Sequence, residues 1–239
     1  MSDLAIDPDF TATRDALHRV TVHVVARARV ESTGRFSLRV APGGPATPDV
    51  DERRVRIADG HLLVESDVAG AAAASGRTID GATLRELAEL AGVDLTAPID
   101  VGHDTPLLGD VDDPIAIDER AAAALGRWYG VAARALDLVV VGITAAGGTA
   151  TLPRLWPEHF DVAIETEARP GVRVNLGASP GDQFCEQPYW YVGPWNGDRP
   201  GDPTFWNAPF GAYLPADAFD VDEVDAGRAF LLAGLDRLR

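Results

Sequence analysis

A chain of 239 residues with 46% hydrophobic and 24% charged side chains can bury a substantial core and has the composition of an ordinary globular protein. Its formal net charge of -16 repels phosphate backbones and anionic lipid surfaces. The densest basic run, Arg53, Arg54 and Arg56, lies in a strand-like segment where it pairs with the surrounding Asp and Glu on a solvated face, so neither nucleic-acid nor membrane partners are expected.

All 21 basic residues counted as Lys+Arg are Arg. The absence of Lys removes Schiff-base catalysis, pyridoxal phosphate anchoring, the P-loop lysine and the Ser-x-x-Lys nucleophile. Cys185 stands alone, which excludes an intramolecular disulfide and any Cys-based metal cluster. The acidic start MSDLAIDPDF lacks the basic and apolar regions of a signal peptide, and the longest apolar stretch, near Leu138 to Ile143, is short of a membrane span. These features place the protein in the cytoplasm.

Thr11 or Thr13 caps a helix through ALHRVTVHVVARARV, where Leu17, Val20, Val24 and Ala28 fall at helical spacing. The same residues alternate as Val20, Val22, Val24, and their β-branching suits a strand, so both readings stand. His18 and His23 read as surface or interfacial histidines. Arg35 to Ala41 reads as a strand, APGGPATP as a rigid loop, and RRVRIADGHLLVES as a hairpin turning at Asp59-Gly60, because Gly accepts the positive φ of a tight turn. His61 then lies half-exposed beside that turn.

Asp80 or Thr83 starts a helix through Leu84, Leu87, Leu90 and Ala91, stopped by Gly92. The following loop carries His103 beside Asp104, but its carboxylates lack the spacing of a calcium-binding loop. Asp118 caps a long central helix whose apolar stripe is Ala121, Leu125, Trp128, Ala132, Leu136 and Val140. A last amphipathic helix runs from about Val221 to Leu238. With no repeat and no convincing linker, the chain reads as a single α+β domain over residues 1–239: an antiparallel sheet of hairpins packed against the central and N-terminal helices.

The stretch from Trp156 to Trp195 gathers the residues with chemistry. In HFDVAIETE, Phe160, Val162 and Ile164 alternate with His159, Asp161 and Glu165, and VRVNL continues the pattern with Arg173 and Asn175 on the polar face. As strand residues two apart, His159 and Asp161 would share a metal ion, or Asp161 would orient the imidazole as a general base. Asp182 and Glu186 are the further carboxylates of such a site. GASPG matches G-x-S-x-G, but Pro180 has no N–H to offer an oxyanion, so Ser179 reads as part of a Gly/Pro turn in which Asp182 bonds its own backbone. Cys185, beside Glu186, reads as a protonated structural thiol.

PYWYVGPW, with Trp206, Phe210 and Tyr213 beyond it, is the most aromatic part of the chain, and NGDRPGDPTFWNAPFG is long enough to form a lid. The leading reading is a binding protein for a small polar or sugar-like ligand, with Tyr189, Trp190, Tyr191 and Trp195 stacking and His159, Asp161 and Asn175 hydrogen bonding. The second is a hydrolase-type enzyme, metal-dependent or not, centred on His159 and Asp161 with Asp182 or Glu186. The third is an interaction protein that buries its aromatics in a homodimer.

The LHR of Leu17 to Arg19, the strand ending in APGG, WPEHFDVA from Trp156, the turn NLGASPGD and the strand QPYWYVGPW together resemble a bacterial protein family of unknown function. Its members carry a similar helix, strand and FDLA/PxFY layout over nearly the whole chain. An aromatic residue commonly follows the His-Arg pair there, where Val20 stands here. The resemblance implies an α+β domain and no reaction.

Overall fold

Helical spacing prevails over β-branching at the start of the chain. α1 (Pro8–Val20), a π-helical segment (Thr21–Ala26) and α2 (Arg27–Thr33) follow one another without a break. The π segment is TVHVVA, and all six of its residues are buried; the extra residue per turn is how a helix absorbs an insertion without breaking. Gly34, at φ 68, ends the run by adopting the left-handed conformation. The computed structural model describes residues 8–48, 53–68, 71–216 and 221–239. The N-terminal segment weighed above as a leader therefore falls mostly outside the described residues.

Two five-stranded antiparallel sheets and a 27-residue helix, α4 (Glu119–Ala145), make the fold α+β. Backbone contacts divide the described residues into two compact units, one holding 8–130 with 155–160 and the other 131–154 with 161–239. The division falls inside α4, where no linker composition marks it.

In the first unit, β1 (Arg39–Ala41), β2 (Gly44–Ala46), β3 (Arg53–Ala58), β4 (His61–Val68) and β5 (Ala71–Thr78) pair in sequence order. Asp59 and Gly60, at φ 47 and 78, form the expected two-residue turn, with Ala58 opposite His61. APGGPATP, expected as a loop, is instead a tight hairpin that turns at Pro42-Gly43 and contributes β2. The N-cap of α3 (Leu84–Ala91) is Thr83, locked in a reciprocal capping box with Glu86, and Gly92 ends the helix at φ 62. The core of this unit is Val55, Ile57, Leu62, Leu84 and Leu87 with the π segment, which packs on β2, β3 and α3. Asp118 caps α4, its Oδ1 accepting from the Ala121 N–H at 2.8 Å. Gly126 lets α4 approach the hairpin turn, since a Cβ there would stand 2.7 Å from the Gly43 carbonyl oxygen.

By length and composition α4 is the one helix among the described residues able to cross a membrane. Its stripe of Trp128, Tyr129, Ala132, Ala135, Leu136 and Val139 is nonetheless fully buried in the protein.

The second sheet has the order β10-β9-β8-β7-β6, from β6 (Arg154–Trp156), β7 (Asp161–Arg169), β8 (Val172–Ser179), β9 (Tyr189–Pro194) and β10 (Ala212–Pro215). Period-two alternation gives this sheet two unlike faces. Val162, Ile164, Val174, Leu176, Trp190 and Val192 form the apolar face, all but solvent-free, and it meets α5 (Val221–Leu238) in the second unit. Gly227 and Gly234 make that approach: a Cβ at Gly227 would run into the Trp190 indole, and one at Gly234 would meet Val192 Cγ2 at 2.6 Å. The opposite face carries Asp161, Glu165, Arg173, Asn175, Ser179, Tyr189 and Tyr191.

Candidate functional site

Strand register brings the polar face together. β7 pairs β8 with Val162 opposite Ala178, and β8 pairs β9 with Ser179 opposite Tyr189 and Gly177 opposite Tyr191. Asp161, Ser179 and Tyr189 therefore stand in one row across three strands. Gly177, Tyr191 and Tyr213 stand in the next, because Tyr213 lies opposite Tyr191. The row depends on Gly177, where a Cβ would occupy the space taken by the Tyr191 ring.

Asp161 is 6% exposed. Its Oδ2 accepts from the Tyr191 hydroxyl, whereas its Oδ1 is buried with no hydrogen-bond partner. Burial pushes this carboxyl up to about 7, the Tyr191 hydrogen bond opposing the rise and the nearby Asp182 charge adding to it. Tyr189, also buried, donates its hydroxyl to Asp182 Oδ2 at 2.6 Å, and burial followed by that carboxylate pushes the phenol far above its ordinary value. Asp182 is fixed in turn by its own loop, with Oδ1 accepting from the N–H groups of Phe184 at 2.8 Å and Cys185 at 3.1 Å. The result is two carboxylates, each bound by one phenol, at the end of the sheet.

Aromatic rings surround this end. Phe184 packs edge-on against Tyr189, Phe210 and Tyr213 with centroids 6.0, 5.0 and 4.9 Å away, and Tyr191 meets Phe210 edge-on at 6.2 Å. Farther along the face, Trp195 is 55% exposed, stacks under the Arg173 guanidinium at 3.5 Å and donates its indole N–H to Asn175 Oδ1 at 3.0 Å. Arg173 pairs with Glu165, its Nε donating to Oε1 at 2.6 Å.

Several expected site residues lie elsewhere. β7 begins at Asp161, and Phe160 has φ 56, a left-handed conformation that takes the chain out of the extended region. His159 is thus an exposed turn residue in the first unit, its ring 6.0 Å from that of His103, and the two-apart strand relation with Asp161 does not exist. Trp190 belongs to the opposite face: it is fully buried and donates to Glu223 Oε1 at 2.6 Å, so it stacks on no ligand. Glu186 is exposed on the loop. The loop expected as a lid is anchored, with the Trp206 N–H donating to the Pro200 carbonyl at 2.9 Å and Phe205 packed on Phe230 of α5 at 5.4 Å. Among the described residues no three His, Cys, Asp or Glu side chains converge as ligands for a metal ion. Cys185 has its thiol pushed up by burial and by Asp182 and Glu186, which keeps it protonated.

Ser179 and Gly177 complete the site without having been assigned a role in it from the sequence, and Phe184 and Phe210 line it from within the aromatic segment 184–213 expected to bind a ligand. The spacing of Gly177 and Ser179 opposite Tyr191 and Tyr189 is the signal that finds them, once the loop between β8 and β9 is recognised as a hairpin connection. Ser179 is 2% exposed and its Oγ accepts from the Gly181 N–H at 3.1 Å, the turn expected in place of a nucleophile elbow.

In the first unit, His18 stacks on Phe160 at 4.7 Å and donates to the Pro157 carbonyl at 2.7 Å; burial lowers its pKa to about 4. His23 donates to the Pro106 carbonyl at 2.8 Å and is also lowered by burial. Both are neutral and structurally bonded, where surface or interfacial positions were expected. No protein-family model, no curated protein and no solved structure matches the chain.

Proposed function

We propose that the second unit is a binding module for a small polar ligand, and that the ligand is received at the Asp161, Asp182, Tyr189 and Tyr191 end of its sheet. The observation that carries this reading is the Asp161 carboxyl, 6% exposed and holding one oxygen without a partner. A buried polar atom left unbonded is disfavoured by about 1–3 kcal/mol, and a ligand that bonds it recovers that loss. The half-exposed Tyr191, Asp182, Phe210 and Tyr213 give the approach. Trp195 and Asn175 extend the same face and suit a second, flatter part of a ligand. This binding protein is cytoplasmic and has no nucleic-acid or membrane partner.

The second reading, a hydrolase-type enzyme, now rests on Asp161 rather than His159. A carboxyl held near 7 can give or take a proton at neutral pH, which is the property a general acid requires.

Thermal unfolding against sugars, nucleotides, small acids, small amines, divalent metals and a chelator tests the site. A ligand at about 100 times its dissociation constant stabilises by about 2.7 kcal/mol, a shift of roughly 5 to 11 °C for this chain length. The shift is expected in the wild type and lost in both Asp161→Asn and Tyr191→Phe. A shift that persists in both variants places the ligand elsewhere.

A further inference from the structure

The donors and acceptors of the site, counted atom by atom, narrow the ligand class. Tyr191 commits its single O–H to Asp161, and Tyr189 commits its O–H to Asp182. The Ser179 hydroxyl interacts with the Tyr189 oxygen, and it accepts from Gly181. A phenol has one hydrogen to give, so neither tyrosine has a donor left over for a ligand. What remains is an acceptor, Asp161 Oδ1. Among the described residues Asp161 has no ion-pair partner, and the nearby charge is another carboxylate, Asp182. Arg173, on the same face, is already held by Glu165 and Trp195.

An uncompensated carboxyl whose neighbouring phenols have no hydrogen left to give, set among aromatic rings, fits a ligand that brings N–H donors and a positive charge. An ammonium group has three N–H donors and no acceptor, and the faces of Tyr191 and Phe210 favour a cation and the carbon beside it. A neutral sugar brings oxygens that neither phenol beside Asp161 can donate to, and a carboxylate or phosphate would face two carboxylates. Resting on the binding-site reading above, we propose that the ligand is an organic ammonium ion, a protonated primary amine whose nitrogen bonds Asp161 and whose carbon skeleton lies against Tyr191 and Phe210. Tyr191, half-buried and bonded to Oδ2, is the side chain such a ligand meets before the carboxyl. The cation also supplies the counter-charge that the buried carboxylate lacks.

Calorimetric titration of the full chain at about pH 8 with benzylammonium, benzyl alcohol and benzoate separates the classes, because the three probes share one ring and differ in charge and donors. Benzylammonium is expected to bind, benzyl alcohol at least about tenfold more weakly and benzoate not measurably; Asp161→Asn should weaken the amine by at least about tenfold. The wild-type ranking stands as a test in its own right, whatever the variant's stability. Alcohol or benzoate binding as tightly as the amine overturns the ammonium assignment, as does an amine affinity unchanged in Asp161→Asn. If benzylammonium gives no heat while another class in the melting panel still acts through Asp161, the ammonium assignment fails and the site survives. If neither acts through Asp161, both fail.

Discussion

A single carboxyl has an outsized effect on how the second unit responds to pH. The folded-state pKa of Asp161 lies above the ordinary value of 3.8, at about 7, so between those pH values the folded chain holds a proton that the unfolded chain has released. Stability therefore falls as pH rises through about 4 to 7, by at most about 1.4 kcal/mol per pH unit and roughly 4 kcal/mol in all. Asp161→Asn does not titrate. Its stability relative to wild type should climb across that window, as read by urea unfolding at several pH values; a constant difference would show that the carboxyl is not buried in solution. Tyr191→Phe removes the partner of Oδ2 and should destabilise by about 1–3 kcal/mol while pushing the carboxyl higher still. Unchanged stability in that variant would deny the hydrogen bond.

Glycines test the packing of α5 on its sheet at the scale of the element. Gly227 lies against the Trp190 ring and Gly234 against Val192, so Ala at either position forces the helix off the apolar face and should cost about 1–3 kcal/mol. Gly130 and Gly142 in α4 have nothing within 4 Å of a built Cβ, and Ala there should stabilise by roughly 0.5–1 kcal/mol. Thermal unfolding of the four variants distinguishes the pairs, and equal effects at all four would contradict the packing. Elements whose local chemistry is self-contained were legible in the sequence: the Asp59-Gly60 turn, the helix that starts at Asp80 or Thr83 and stops at Gly92, the Asp118 cap and the final helix. β5 was not, because AAAASGRT has low strand preference and owes its form to pairing with β4. In the site, alternation placed Asp161 on one face with Glu165, Arg173 and Asn175, while Tyr189 and Tyr191 were picked out with Trp190 by aromatic content. The same period separates Trp190 from its tyrosine neighbours, and attention to aromatic content alone obscured that. His159 was misplaced for a reason no pattern reveals, the positive φ of a non-glycine residue, Phe160.

Across the whole molecule, the two units carry opposite pH responses. His18 in the first unit has a folded pKa of about 4 against an ordinary 6.5, so its contribution is complete above about pH 6.5 and is lost on acidification toward 4, by roughly 3 kcal/mol. His23 is lowered as well and acts in the same direction. Hydrogen exchange, after removal of intrinsic rates, should show protection in β3 and β4 weakening between about pH 7 and pH 5 while protection in β7 to β9 strengthens. A change of one sign along the entire chain would contradict this division of titrating groups. The fold as a whole, α+β with antiparallel hairpins, followed from the sequence; the boundary inside α4 did not, because a continuous helix carries no compositional break. The claim on which the functional account turns is the state of one carboxyl, and carbon-13 NMR titration of Asp161 reads it directly. The account predicts a midpoint near 7 in the free protein, moved downward by benzylammonium as the cation favours the ionised form. A midpoint near the ordinary aspartate value, indifferent to the amine, would contradict it.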